Sequence, residues 1–270
     1  METFKIKLCC FFLLFTLGLH AQNESNISSI AQDSVSFSNK NYTAFLGVDL
    51  YANYFFEKEN TLIKTNGTQF WEYANLELGN ITNISILNPL QILVFYKGSN
   101  SLVLLDRFLS ETRRIDLNNL TEPKVAEWAV NTKNQEVWIY NSLNNQLEFF
   151  NYQNTNNIAT TIPLNTTPNS LCANFNNVYV LTNDSLICYN NYGNVTHKIA
   201  TGSIEKIAIQ GNDLIGYNPN EVILFDEELK PYFNLKKQKN WSGDFFVGNE
   251  ILYIYKDSTI YKYQLKLPTK

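Results

Sequence analysis

Apolar runs of four to six residues alternate with short polar turns along most of this 270-residue chain. The clearest unit is the apolar run 92–96, a polar turn at 97–101 and a second apolar run at 102–106. Runs of this length, rich in Val, Ile, Leu and aromatic residues and bounded by Asn, Ser and Gly, predict paired antiparallel strands. No helical segment of note follows the first 21 residues, so the pattern indicates an all-β protein.

The strand pairs recur at a nearly constant interval. The second run of each pair begins, in order, at Leu62, Leu102, Leu147, Leu186, Val222 and Ile260, which gives steps of 40, 45, 39, 36 and 38 residues. A single hairpin cannot bury both of its faces, and a period near 40 residues is typical of four-stranded blades packed around an axis. The sequence therefore predicts a six-bladed β-propeller of four-stranded antiparallel blades, forming one domain over residues 34–270.

Each repeat has a predicted innermost strand and a more polar, predicted outermost strand. The innermost strands are expected at 44–48, 84–87, 126–130, 170–173, 206–209 and 245–247. The outermost strands are expected at 70–73, 112–117, 159–164, 196–199 and 231–235. Their charged residues and prolines are typical of exposed sheet edges, where such residues discourage pairing with other molecules.

The last repeat is one strand short. Three strands are expected after residue 244, and the remaining length does not allow a fourth. Residues 33–38 alternate polar and apolar, as a half-buried strand does. We therefore predict that this N-terminal strand closes the last blade, with Val35 and Phe37 facing the core.

Residues 1–21 have the features of an export signal. Lys5 and Lys7 precede a 12-residue apolar stretch, which is shorter than the roughly 20 residues that span a bilayer. Ala21 supplies the small residue before a cleavage site. We expect cleavage after Ala21 and a flexible tail over 22–33, with an uncleaved anchor as the alternative.

The charge of the cleaved chain argues against nucleic acid. Removal of Lys5, Lys7 and Glu2 leaves 19 basic and 24 acidic residues, a net charge of 19 − 24 = −5. A nucleic-acid-binding domain is expected to carry a basic stripe for phosphate contacts.

The Asn, Lys and Ile bias indicates a bacterial protein, which predicts the periplasm or the outer cell surface. Glycosylation in a eukaryotic secretory pathway is the alternative.

Two cysteines, Cys172 and Cys188, remain after cleavage. They fall on the predicted first and third strands of one blade. Two inter-strand steps of about 4.8 Å separate them by roughly 10 Å, beyond the Cα separation of about 7 Å that a disulfide allows. The sequence thus predicts two buried free thiols.

Candidate catalytic groups are few. His197, the one histidine left after cleavage, falls on an outermost strand, which predicts a packing role.

The carboxylates and amides near blade ends could hold calcium in a central channel, as in some propeller hydrolases. They are Asp49, Glu72, Asp116, Glu127, Asp213, Asp244, Asn88 and Asn131. Polar residues also serve turns there, as predicted for Asp106 and Asp226. We expect neither a metal site nor a cofactor.

The tryptophans divide into core and surface candidates. Trp71, Trp128 and Trp138 lie within strand patterns and are predicted to fill space between blades. Trp241 lies in a loop-like segment, so it is the one predicted contact for a partner or ligand.

The runs Leu104-Leu105-Asp106 and Leu224-Phe225-Asp226, with the Asn-Asp-Ser turns, resemble the superfamily of exported propellers. That group includes quinoprotein-like, lactonase-like and outer-membrane-assembly scaffold propellers. With no catalytic signature, we predict a non-catalytic, protein-binding scaffold of the bacterial cell envelope, monomeric on its own and not membrane-spanning after signal cleavage. The alternatives are a calcium-dependent hydrolase or lactonase with its site in the channel, and a carbohydrate-binding propeller.

Overall fold

The computed structural model describes residues 33–37, 41–132, 135–210, 212–237 and 244–267. These residues form six four-stranded antiparallel sheets arranged as the six blades of a β-propeller, as predicted. The predicted signal peptide, almost all of the predicted tail and Trp241 lie outside the described residues.

The blades follow the chain in order, with one exception at the N-terminus. The first strand, β1 (Asp33–Ser36), belongs to blade 6. Blade 1 contains β2 (Ala44–Val48), β3 (Tyr54–Lys58), β4 (Thr61–Thr65) and β5 (Phe70–Tyr73). Blade 2 contains β6 (Asn83–Ser85), β7 (Ile92–Tyr96), β8 (Ser101–Leu105) and β9 (Glu111–Asp116). Blade 3 contains β10 (Ala126–Asn131), β11 (Glu136–Asn141), β12 (Gln146–Asn151) and β13 (Asn156–Thr160).

The second half of the chain repeats this order. Blade 4 contains β14 (Ser170–Ala173), β15 (Asn177–Leu181), β16 (Ser185–Asn190) and β17 (Val195–Ala200). Blade 5 contains β18 (Lys206–Gln210), β19 (Asp213–Tyr217), β20 (Glu221–Phe225) and β21 (Pro231–Lys236). Blade 6 contains β22 (Asp244–Gly248), β23 (Ile251–Lys256) and β24 (Thr259–Gln264), followed in space by β1.

The core of the described molecule consists of apolar clusters between adjacent blades. Alternate side chains of one strand pack against the preceding blade and the following blade, because side chains along a strand point to opposite faces. In β11, Val137 and Ile139 pack against blade 2, whereas Trp138 and Tyr140 pack against blade 4. Phe95 of β7 packs against blade 3 in the same way, so Phe95 and Trp138 both fill space between a blade and the one that follows it. In strand register Phe95, opposite Leu102, corresponds to Tyr140, opposite Leu147.

The N-terminal strand closes the ring. Val35 of β1 lies opposite Ile260 of β24, and the Phe37 N–H donates to the Ser258 carbonyl at 2.7 Å. The Phe37 side chain is buried with Tyr42 and other residues of blades 1 and 6, and Val35 packs against the same cluster. This confirms the predicted closure. The strand starts at Asp33, the first residue of the predicted segment.

Turn residues account for the recurring Asp and Asn at strand ends. The carboxylates of Asp106 and Asp226 each accept hydrogen bonds of 2.8–3.0 Å from the backbone N–H groups two and four residues later. These bonds close the turn between the third and fourth strands of blades 2 and 5, which confirms the predicted turn role.

In the described part of the chain, helical structure is limited to a 3-10 turn at Leu117–Asn119, and no helix there has the length and apolarity to cross a bilayer.

One predicted strand was misplaced. The outermost strand of blade 3 is Asn156–Thr160, not 159–164. Thr155 has a positive φ of 61° and closes the preceding turn, so the strand begins directly after it. Asn156 and Asn157 are polar and resemble turn residues in the sequence, but both are exposed, and an outermost strand tolerates such residues.

The two ends of the propeller differ in their connections. We call face 1 the end at which the innermost strands begin and face 2 the end at which they finish. The turns between second and third strands, and the connections from one blade to the next, lie on face 1. The turns between first and second strands, and between third and fourth strands, lie on face 2.

Candidate functional site

A cavity of about 440 Å³ runs along the propeller axis and is bounded by the innermost strands of all six blades. Several side chains on or directly after these strands are partly exposed to the cavity although they lie at the centre of the molecule. They are Leu46, Ile84, Ile86, Trp128, Ala208, Ile209 and Phe246. The wall between the two faces is therefore largely apolar.

Gly47 permits the close packing of this wall. Its φ is +145°, a conformation that favours glycine, and it lies at an irregularity in the pairing of β2 with β3. A Cβ atom here would lie 3.0 Å from Cε2 of Phe246 and 3.2 Å from Cδ1 of Ile86. The side chains of blades 6 and 2 thus meet over the glycine of blade 1.

Polar residues are concentrated at the two ends of the cavity. Those near face 1 are Asn83, Asn169, Glu205 and Lys206, and those near face 2 are Asp49, Asn174, Gln210 and Asn212. The two serines of the wall have their hydroxyl groups engaged within the wall: Ser85 contacts Oδ1 of Asn131, and Ser170 bonds to the Ile207 carbonyl at 3.3 Å. These hydroxyls add little polar surface to the cavity.

Asp49, the most buried of the candidate carboxylates, stabilises its own turn. Its Oδ1 accepts hydrogen bonds from the backbone N–H groups of Tyr51 and Asn53, each at 2.9 Å. Its Oδ2 lies 3.6 Å from Nζ of Lys64, which also donates to the Arg107 carbonyl at 2.9 Å. Burial lowers the pKa of Lys64, and Asp49 offsets part of that effect. The ion pair is part of the fold of blade 1.

The other candidate carboxylates are dispersed. Asp116 caps the 3-10 turn, Glu127 pairs with Lys97, and Asp244 accepts from the Phe45 N–H at 2.9 Å. Glu72 lies on outermost strand β5, Asp213 begins β19, Asn88 closes a turn, and Asn131 donates to the Gln91 carbonyl at 2.8 Å. Within the described residues, no group of three or more His, Cys, Asp or Glu side chains could hold a metal ion.

His197 and the two cysteines occupy structural positions in blade 4. His197 lies on the outermost strand β17, opposite Cys188. Cys172 and Cys188 are buried and unbridged, with Tyr179 between them in the sheet, which confirms the predicted free thiols. Burial raises the pKa of both thiols, so neither is an activated nucleophile.

Sequence analysis missed a set of exposed aromatic residues on face 2. The exposed aromatic side chains of the described chain are Tyr51, Phe70, Phe108, Phe175 and Tyr192, and all lie at this end of the blades. Leu50 and Leu90 are exposed on the same face. The exposed apolar residues of face 1 are aliphatic, namely Leu76, Val125, Leu143 and Ile162.

A local signal could have identified several of these residues. Tyr51, Phe108 and Tyr192 each stand two positions after an Asp or Asn whose side chain accepts their own backbone N–H. Leu90 has the same relation to Asn88. A residue at this position of a tight turn has no strand partner to cover it, so an aromatic residue there is exposed.

Comparisons with known proteins support the fold. No protein-family model matches the chain, and a search of curated proteins finds no relative. An inactivated virginiamycin B lyase from Staphylococcus aureus, solved with quinupristin, is 12% identical with a TM-score of 0.57, covering 86% of this chain and 98% of its own. A chain of the mitotic checkpoint complex is 7% identical with a TM-score of 0.59, covering 88% and 93%. The Pan2 WD40 domain of Neurospora crassa is 11% identical with a TM-score of 0.55, covering 85% and 76%. At these identities the likeness concerns the propeller fold.

Proposed function

We propose that this protein is an exported, non-catalytic scaffold of the bacterial cell envelope that binds a protein partner on face 2. The observation that carries the proposal is the confinement of the exposed aromatic residues to that face. Tyr192 is 81% exposed and Tyr51 is 67% exposed. Aromatic residues are enriched in protein interfaces, where they supply large contact areas at low conformational-entropy cost.

The position of the aromatic residues suits a broad docking surface. Tyr51 and Phe175 lie in turns near the axis, whereas Phe108 and Tyr192 lie in turns farther out, between the third and fourth strands. Arg107 stacks on Phe108 with its guanidinium carbon 4.6 Å from the ring centre, which adds a cation beside an exposed aromatic ring. A partner that covers face 2 would bury aromatic residues from blades 1, 2 and 4 together.

The proposed location rests on the first 21 residues, whose basic start, apolar stretch and Ala21 are typical of an export signal. N-terminal sequencing of the protein recovered from the envelope fraction should begin at Gln22. Recovery of uncleaved chain from the cytoplasm would contradict export. The isolated protein is proposed to be a monomer, which light scattering can test.

Site-specific photo-crosslinking in the producing cell tests the docking surface. A photoreactive phenylalanine analogue replaces Phe175 or Tyr192 on face 2, and matched variants carry it at Leu76 or Ile162 on face 1. We expect one defined crosslinked protein from the face 2 positions. Equal capture from both faces, or capture from face 1 alone, would contradict the proposal.

The crosslinked protein is then purified and titrated against the scaffold. Phe175→Ser and Tyr192→Ser should each weaken its binding by about tenfold or more, as expected for interface aromatic residues. Leu76→Ser and Ile162→Ser serve as matched controls and should leave the affinity unchanged. An unchanged affinity for both face 2 variants would show that the captured protein binds elsewhere.

The two alternative functions have less support from the described residues. The hydrolase alternative needs a carboxylate cluster in the channel, and Asp49, Asp116 and Glu127 are engaged in a turn, a cap and an ion pair instead. The carbohydrate alternative depends on aromatic residues in loops, and the one that sequence analysis singled out, Trp241, lies outside the described residues. Calorimetric titration with calcium tests the hydrolase alternative, and titration with soluble glycans tests the carbohydrate alternative. Heat of binding in either titration would favour that alternative over the scaffold.

A further inference from the structure

We propose that the central cavity is a binding site for an uncharged, predominantly apolar small molecule. Its volume of about 440 Å³ lies within the range of roughly 300–1,000 Å³ that small-molecule sites occupy. The partly exposed side chains of its wall include Leu46, Ile84, Phe246 and Ile209, from blades 1, 2, 6 and 5. Phe175 and Leu50 of face 2 line the mouth of this cavity, whereas Phe108 and Tyr192 of the outer turns are not part of its lining.

The side chains of the wall offer water few hydrogen bonds, and the polar groups left to it are mainly the unpaired backbone N–H and C=O groups of the innermost strands, each of which is an edge of its sheet. Water in a cavity is stable where it bonds to two or more polar groups, and apolar cavities of this kind favour apolar guests. The Ser85 hydroxyl contacts Asn131, and the Ser170 hydroxyl bonds to the Ile207 carbonyl, so both serines face inward to the protein. Displacement of the water that lies against these apolar side chains by an apolar molecule is therefore favourable, and a neutral polar group on the ligand can bond to the backbone edges.

The polar residues at the two ends of the cavity determine where the apolar body of a ligand can lie and which charge the ligand can carry. Glu205 and Lys206 lie at the face 1 end, and the buried Asp49 lies at the face 2 end, where Lys64 balances its charge. A ligand with an apolar body would contact the wall between these ends. A charged ligand would lose its hydration in the apolar middle without gaining a counter-charge there.

Gly47 supports this assignment by its effect on the shape of the wall. Because it lacks a side chain, the Phe246 ring and the Ile86 side chain approach to about 3 Å from the position of a Cβ atom. The wall at this level thus consists of an aromatic ring and an aliphatic side chain packed over a bare backbone. Such surfaces suit the flat or branched faces of an apolar molecule.

Titration with N-phenyl-1-naphthylamine tests the proposal, since this neutral probe fluoresces in apolar surroundings. We expect saturable binding with one probe per chain. Ala208→Phe places a ring in the cavity and Ile84→Asn makes the wall polar; each should weaken binding by at least tenfold. Tyr192→Ser and Leu76→Ser, on the outer surfaces of face 2 and face 1, should leave it unchanged. Melting curves of all variants establish that each is folded.

A second measurement uses the unaltered protein, so the test does not depend on the folding of any variant. A neutral aryl diazirine is photolysed with the protein, and its adducts are mapped by mass spectrometry. Adducts on the innermost strands, at residues such as Ile84 and Ala208, would support the site. Absence of saturable probe binding, unchanged binding in both cavity variants, loss of binding in Tyr192→Ser, or adducts confined to the outer turns would each overturn it.

Discussion

Lys124 and Glu148 form an ion pair inside blade 3, where each side chain is only 4% exposed. Lys124 lies in the connection that leads into β10, and Glu148 lies on β12. The Glu148 carboxylate also accepts hydrogen bonds from Nδ2 of Asn141 at 2.9 Å and of Asn144 at 2.8 Å. Burial opposes ionisation of Glu148, but the bonds from Lys124, Asn141 and Asn144 outweigh it and hold the carboxyl pKa below its usual 4.5.

Removal of one partner of this ion pair should lower the free energy of unfolding. Lys124→Met leaves the Glu148 carboxylate buried without its cation, and the loss of one partner of a buried pair costs about 3–5 kcal/mol. Urea denaturation at neutral pH measures the change in unfolding free energy. The double variant Lys124→Met, Glu148→Gln should recover much of that loss, because no charge then remains buried. A loss below about 1 kcal/mol in the single variant would show that water reaches the carboxylate.

The same carboxylate predicts a pH dependence. Since its pKa is lower in the folded than in the unfolded state, its contribution to stability is complete above the unfolded value near 4.5 and is lost as the pH falls through the folded value. The unfolding free energy of the wild type, compared with that of Glu148→Gln, should therefore decline on acidification below that value. Parallel curves for the two proteins would contradict the assignment.

Closure by β1 predicts unequal effects for two deletions. Removal of 22–32 leaves β1 intact and should change the melting temperature little. Removal of 22–38 deletes β1 and the buried Phe37, whose side chain alone is worth about 3–5 kcal/mol. It also exposes β24 as an edge strand, which favours aggregation. Thermal unfolding and light scattering measure both effects, and equal melting of the two deletions would rule out the closure.

The inter-blade core predicts strong effects for two aromatic residues. Phe95→Ala and Trp138→Ala each remove a fully buried side chain and should cost about 3–5 kcal/mol. Phe175→Ala, at an exposed position, is the matched control and should change stability by no more than about 0.5 kcal/mol. Trp241→Ala is also predicted to cost much less than Trp138→Ala. Denaturant titrations of the four variants give the comparison, and a severe loss at Trp241 would identify it as a core residue.

Metal removal should leave the protein unchanged. A tightly bound structural ion at a hundredfold excess over its Kd would add about 2.7 kcal/mol of stability. The described residues contain no cluster suited to such an ion, so we expect the same melting temperature with and without a chelator. A clear drop on chelation would restore the calcium-dependent hydrolase as a candidate.

The repeat period predicted the blades because the strand pattern is local. Val137, Trp138, Ile139 and Tyr140 are apolar in succession since β11 packs against a blade on each side, and buried apolar runs of at least four residues recur in β7 and β15. The outermost strand of blade 3 was misplaced because it is exposed and polar, so it lacks that pattern. The capping roles of Asp106 and Asp226 were predictable from turn chemistry alone.

The channel and face 2 were not predictable in the same way. Ile84 and Ala208 stand in strand patterns that look like any buried run, and only the arrangement of six blades around the axis leaves them partly exposed. Asp49 was one of the residues considered as possible calcium ligands because it lies at a strand end, whereas its bonds to Tyr51, Asn53 and Lys64 depend on the folded turn and on β4. The exposure of side chains to the cavity thus depends on the assembly of all six blades around the axis, which no single strand pattern records.

The pairing of β1 with β24 also determines when folding can finish. The register that joins Ser34 to Tyr261 connects segments from opposite ends of the described chain, and such non-local contacts form slowly because a long loop must close first. During synthesis the N-terminal strand emerges first and must wait for the last strand before it can pair. Blades 1 to 5 are each complete within a continuous segment of the chain, so they can assemble in order. The final and slowest step is then expected to be the pairing of β1 with β24, and a chain truncated before Thr259 would retain five complete blades and an unpaired first strand.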